Sequence, residues 1–170
     1  MENKEAEVAF GQRGVSMRQM YKTDTQREKE GIWIDYGAFQ VRIARCGGAN
    51  AEFTRALRER SKPYKKLAQT GNMPEAVYLK ILREVFADTI IRGWETWVGD
   101  ETSGGFRPGI EPLDPAEELL PATRDNVVKT LEEMPDLFED IQTQSANLAL
   151  FRELQQEEDS KNLPSSSATA

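Results

Sequence analysis

PEAVYLKILREVFADTIIRGW, residues 74–94, carries the strongest helical pattern in the chain, and the fold is read outward from it. Val77, Ile81 and Val85 recur one helical turn apart, with Leu82, Phe86 and Ile90 beside them. Lys80, Arg83, Glu84 and Asp88 fall largely opposite. Apolar residues at this spacing form one stripe on a helix of 3.6 residues per turn, so the pattern predicts one core-facing helix over 74–94, weakened at its end by Gly93. The next stretch, 95–121, holds Gly99, Gly104, Gly105, Pro108, Gly109, Pro112, Pro115 and Pro121 and reads as one long loop.

Upstream, IWIDYGAFQVRIAR at 32–45 changes period. Ile32, Ile34 and Tyr36 alternate with Trp33 and Asp35, and Phe39, Val41 and Ile43 alternate with Gln40, Arg42 and Ala44. Period two with β-branched and aromatic residues predicts two strands, turning at Asp35-Tyr36-Gly37. A lone hairpin is marginal and must pack on something. Asn50 reads as an N-cap for a helix over 51–60, and Pro63 suits the first turn of another over 63–69. Thr123 reads as the N-cap of a helix over 124–134, and a long helix is expected over 136–156, with Leu137, Phe138, Ile141, Leu148 and Phe151 on its apolar side. The expected fold is therefore mainly α with minor β: a β-hairpin packed on a bundle of four or five helices. Residues 1–30 read as a flexible arm, 31–156 as a single domain, and 157–170 as a Ser-rich disordered tail.

Composition bounds the chemistry. The chain has 170 residues, no His, one Cys and a net charge of −7. Without His there is no Ser-His-Asp or Cys-His catalysis and no usual zinc site; one Cys allows no disulfide within the chain. No apolar run approaches membrane-spanning length and the N-terminus lacks the apolar core of a signal peptide, so a soluble, intracellular, non-enzymatic protein without cofactor or metal is expected. The adjacent carboxylates Glu117-Glu118, Glu132-Glu133 and Glu139-Asp140 diverge around a helix and form no acid–base pair. Asp136 and Asp140 share a face but lack a calcium-loop pattern. Gly47-Gly48 and Gly104-Gly105 lack the Lys-Ser/Thr of a phosphate loop. Cys46 reads as an incidental or buried thiol.

Charge is unevenly spread. Residues 1–99 carry 17 basic and 13 acidic side chains, and residues 100–170 carry 5 and 16, so +4 and −11 sum to −7. The basic excess gathers at Arg42, Arg45, Arg55, Arg58, Arg60, Lys62, Lys65 and Lys66. Two solvated faces would give this pattern; so would a bipolar subunit whose basic surface meets the acidic surface of the next copy. The acidic half disfavours nucleic acid. The candidate partner or self-association surface is Arg42, Arg45, Arg55, Arg58, Lys62, Lys65 and Lys66, together with the stripe Leu137, Ile141, Leu148 and Phe151, for which plain core is the competing reading. Trp33, Tyr36 and Phe39 fit either a base-stacking platform or anchors of the hairpin to the core; Trp94 and Trp97 fit core anchors or a partner hot spot equally.

The segments YKTDTQREKEG (21–31), IWIDYGAFQVRIARCGG (32–48) and NVVKTLEEMPDLFEDIQTQSANLALFRE (126–153) resemble tail assembly chaperones of long-tailed, non-contractile bacteriophages. The resemblance spans roughly 20–153. It implies a small, mainly helical, acidic protein of the infected host's cytoplasm that coats the tape measure protein while the tail tube polymerises, self-associates, and is absent from the mature virion. It brings no cofactor and no catalytic residue. Such families often make a longer form by a −1 ribosomal slip, for which Ser160-Lys161-Asn162 offers a codon context, and the resemblance beginning at Met20 makes that residue an alternative start to Met1. A tail connector subunit retained in the particle, and a small nucleic-acid-binding regulator using residues 55–66, are the alternative readings.

Overall fold

The computed structural model describes residues 16–152. Residues 1–15 of the expected arm, the whole of the expected tail over 157–170 with the slip site at 160–162, and the last residues of the expected final helix lie outside them.

The fold is α+β. A four-stranded antiparallel sheet of order β1-β2-β3-β4 carries helices on one face. The hairpin of β1 (Ile32–Asp35) and β2 (Phe39–Ile43) forms where the alternation places it. Its turn is closed by Tyr36 N–H donating to the Phe39 carbonyl at 2.9 Å, with Gly37 at φ +86°. The expectation of a lone hairpin on a helical bundle is overturned downstream of the central helix. That helix, α5 (Glu75–Thr89), stops five residues short of Trp94. Ile91–Val98 is β3, paired with β2, and Gly105–Pro108 is β4, paired with β3. The first half of the expected long loop over 95–121 is therefore the β3–β4 hairpin.

The physical reason is legible in the residues. Ile91, Trp94, Thr96, Trp97 and Val98 favour strand. Trp94 and Thr96 are buried on the helix side, while Gly93, Glu95 and Trp97 face the other way, a period of two hidden behind the helical run. Gly93 is no helix terminator: a Cβ there would lie 2.9 Å from Trp33 Cη2, so the missing side chain seats the Trp33 ring across the sheet. Asp100 ties the β3–β4 connection by accepting from the Thr102 and Ser103 N–H groups at 2.8 and 2.7 Å and from the Thr102 hydroxyl at 2.8 Å. Hydrogen bonds from these hydroxyls and N–H groups hold its carboxyl well below the usual carboxylate range.

The core lies between the sheet and α5, α6 (Arg124–Glu133) and α7 (Pro135–Ala146). Val41, Ile43, Phe86, Ile90, Trp94, Leu131, Phe138 and Ile141 fill it. Phe86 makes edge-to-face contacts with Phe53 and Phe138 at 5.7 and 5.3 Å. α3 (Ala51–Ser61) packs on α5, followed by a 3-10 turn at Lys62–Tyr64 and the short α4 (Lys65–Gln69). Arg60 and Arg124 bracket Glu84 and Asp88 of α5 and so tie α3 and α6 to it; Arg124 Nε donates to Asp88 at 2.9 Å.

The expected helix over 136–156 also breaks. α7 ends at Ala146; the Asn147 side chain accepts from Ala149 N–H at 3.1 Å and starts a 3-10 turn, Leu148–Phe151. The turn drives Phe151 fully into the interior. There the Phe151 carbonyl accepts from Asp24 N–H at 2.9 Å, and Thr23 and Arg152 form a bridge. Thr25–Glu30, read from sequence as part of the arm, is helix α2, capped by Asp24, after a five-residue α1 (Met17–Tyr21). No helix among the described residues is long and apolar enough to cross a membrane.

Candidate functional site

Three segments build an open cleft of about 610 Å³ beside the sheet. Its floor is Phe39 and Trp94, two members of an aromatic column. Tyr36, Phe39 and Trp94 stack with centroids 4.8 and 5.6 Å apart and planes within 12°. The Tyr36 hydroxyl donates to Asp140 of α7 at 2.6 Å, and burial followed by that carboxylate pushes its pKa well above the ordinary phenol value. The second wall is the loop between Ile110 and Leu120, whose ends pair through backbone bonds of 2.8 and 2.9 Å. Gly109 permits this neck: at φ +134° a Cβ would sit 2.8 Å from Leu119 Cβ. The third wall is the end of α6, with Lys129, Thr130, Glu133 and Met134.

The cleft has an apolar interior and an acidic rim. Phe39, Trp94, Ile110 and Leu120 line it, and Leu113 and Met134 stand at its lip, 83% and 44% exposed. Glu111, Glu117 and Glu133 surround the mouth. Lys129 is the single cation among the described residues lining it, 3.8 Å from Glu133. The chemical complement of such a surface is an apolar side chain flanked by positive charge. Sequence reasoning misses it because local pattern puts Phe39 and Trp94 in separate elements and 95–121 in one loop. The apolar Leu113 among acids and prolines is the available signal.

The predicted basic cluster does not stay together. Arg42 projects from the open face of the sheet, 3.8 Å from Glu30. Arg45 is drawn inward to Glu28 of α2, whose side chain is almost fully buried. Glu28 also accepts from Ala49 N–H at 2.6 Å and from the Thr23 hydroxyl. Burial alone would raise the Glu28 pKa, but these donors and the Arg45 charge outweigh it and lower it. Asn50, expected to cap α3, instead donates to the Arg45 and Thr89 carbonyls at 2.9 and 3.0 Å. Arg55 and Arg58 of α3 and Lys62, Lys65 and Lys66 beyond it are exposed, Lys62 lying 2.6 Å from Glu59.

The apolar stripe is core. Ile141 and Phe151 are fully buried, and Leu137 and Leu148 are partly buried. Trp94 is a core anchor. Trp97 lies on the open sheet face, edge-on to Phe106 at 5.1 Å. Trp33, 42% exposed, lies on the same face, whereas Tyr36 and Phe39 anchor the hairpin inward. Cys46 is half-buried, its N–H donating to the Ser145 carbonyl at 3.0 Å.

A family model described as YdaY prophage protein matches residues 48–162, about two thirds of the chain. The chain belongs to the YdaY prophage protein family. The match takes in α3 through α7, and with them the loop and the α6 wall of the cleft. It gives this YdaY-family chain the phage origin that its resemblance to tail assembly chaperones implies, and says nothing of an assembly role. No curated protein and no solved structure matches the chain.

Proposed function

We propose that this YdaY-family chain is a non-catalytic binding protein of phage assembly, acting as a tail assembly chaperone that keeps the tape measure protein soluble while the tail tube forms. The observation that carries the reading is the acid-rimmed apolar cleft with Leu113 and Met134 at its lip. A long helical client that presented repeated apolar side chains flanked by cations would be covered through multivalent contact by many copies, each holding one such segment weakly. Weak single contacts yield when tube subunits displace them. The reading places the chain in the host cytoplasm, outside the finished particle, and includes self-association and a frameshifted longer form as partners.

The exposed Arg55, Arg58, Lys65 and Lys66 favour a second reading, a nucleic-acid-binding regulator. One experiment separates the two. The tagged chain is recovered from phage-gene-expressing cells at low and high salt and its companions are identified by mass spectrometry. The tape measure protein, lost on Leu113→Asp substitution, supports the chaperone. Salt-sensitive nucleic acid, lost on Lys65→Glu/Lys66→Glu substitution, supports the regulator. Recovery of finished-tail proteins without the tape measure protein points to a connector subunit and overturns both.

A further inference from the structure

We infer that the cleft of one copy receives α4 of a second copy, giving a head-to-tail contact. The inference rests on the cleft being a binding site and names its occupant when no client is present. α4 is open to solvent: every residue from 65 to 72 is exposed, and its main packing is on its own preceding turn. A five-residue helix is marginal in water without support. It displays Leu67, 42% exposed, directly after Lys65 and Lys66. An apolar knob flanked by two ammonium groups is the complement of an apolar cavity rimmed by Glu117 and Glu133.

α4 and the cleft are separate surfaces: no residue of α4 lines the cleft of its own copy. α3, which leads into α4, and α6, which forms a wall of the cleft, both pack on α5, and their Arg60 and Arg124 meet the same carboxylates, Glu84 and Asp88. The contact is heterologous, a different surface from each copy, and such contacts build rings or filaments rather than closed pairs. The uneven charge of the sequence, +4 in residues 1–99 and −11 in 100–170, then has a structural use: it sets the polarity of the assembly.

The test is a charge exchange on surface residues. Sedimentation velocity is run on the full chain, on Lys65→Glu/Lys66→Glu, on Glu117→Lys/Glu133→Lys, and on their equimolar mixture, at low and at high salt, with circular dichroism confirming folding. Self-association of the full chain weakens with salt, and each variant alone associates at least about tenfold more weakly. The mixture regains association, because each altered surface then meets an oppositely charged one. A monomeric full chain at low salt, or association that neither variant changes, overturns the inference. Association lost in the variants and not regained on mixing also overturns it. None of these outcomes reads client binding, so loss of the client in the pulldown with intact self-association refutes the chaperone reading alone.

Discussion

Glu28→Gln is the substitution that most sharply probes how this fold is held together. Glu28 sits where α2, the end of β2 and the start of α3 meet. Its carboxylate accepts from Ala49 N–H at 2.6 Å, from the Thr23 hydroxyl and from the Arg45 guanidinium. Glutamine keeps the shape, removes the charge and turns one acceptor into a donor. Hydrogen bonds to a charged group contribute about 1.5–3 kcal/mol, and removing one partner of a buried pair costs about 3–5 kcal/mol. The Arg45 side chain remains 22% exposed, so water partly compensates the stranded guanidinium and the cost falls between those two ranges, about 2–4 kcal/mol. Against a total stability of about 5–15 kcal/mol this is large, and it corresponds to a melting temperature lower by about 6–12 °C. The pH dependence gives an independent readout. Glu28 has its pKa lowered from 4.5, so its contribution is fully present above that value and disappears as pH falls through the lower folded value. Urea denaturation across pH 3–7 should show wild type losing its advantage over Glu28→Gln on the acid limb. A difference below about 0.5 kcal/mol at pH 7, or parallel acid limbs, would show that the Glu28 carboxylate does not hold these three elements together.

Phe151→Ala should cost about 3–5 kcal/mol in denaturant unfolding, and hydrogen exchange should show faster opening at residues 24–31, because the buried ring fixes the carbonyl that binds Asp24 N–H. A surface-like cost near zero would show that the 3-10 turn is not anchored. In an alkaline spectrophotometric titration, the Tyr36 phenol should ionise well above the ordinary phenol range, and Tyr36→Phe should abolish that late step. Raising a phenol's pKa on folding means stability that holds below pH 10 and is lost as pH rises through the folded value, so Tyr36→Phe should also flatten the alkaline limb. Gly93→Val should displace the Trp33 ring, which lies 2.9 Å from the added Cβ, destabilising by about 1–3 kcal/mol and altering Trp fluorescence; an unchanged spectrum would place the ring elsewhere.

The hairpin, α6 with its Thr123 cap and the start of α5 are legible in local pattern alone, because each has one period and one clear boundary. The sheet is not. Ile90 and Ile91 continue an apolar run that suits a helix stripe and a strand equally, and only pairing with β2, more than forty residues earlier, decides between them. Gly93 reads as a helix stop because the Trp33 ring it accommodates is distant in sequence. The final helix reads as continuous because Leu148 and Phe151 keep helical spacing past Ala146, while Asn147 starts a different turn. Part of the candidate surface is taken up by the fold, while Arg55, Arg58, Lys65 and Lys66 stay exposed. Ile141 and Phe151 are core, which an apolar stripe usually is, and Arg45 answers to a buried Glu28 in a segment whose polar sequence conceals its packing. The cleft depends on three segments 39, 94–120 and 126–134 coming together, and no local motif announces that.

The proposed role of the cleft is to hold an apolar, cation-flanked segment of a phage assembly client. The most direct measurement places a photo-crosslinking residue at Leu113, the exposed lip, in cells expressing the phage tail genes, and identifies the linked protein. The expected product is a covalent adduct to the tape measure protein that disappears when Glu117 and Glu133 are changed to Lys. The opposite finding is efficient crosslinking at Leu113 to nucleic acid or to finished-tail proteins alone, or an adduct to the tape measure protein that the two charge changes leave untouched.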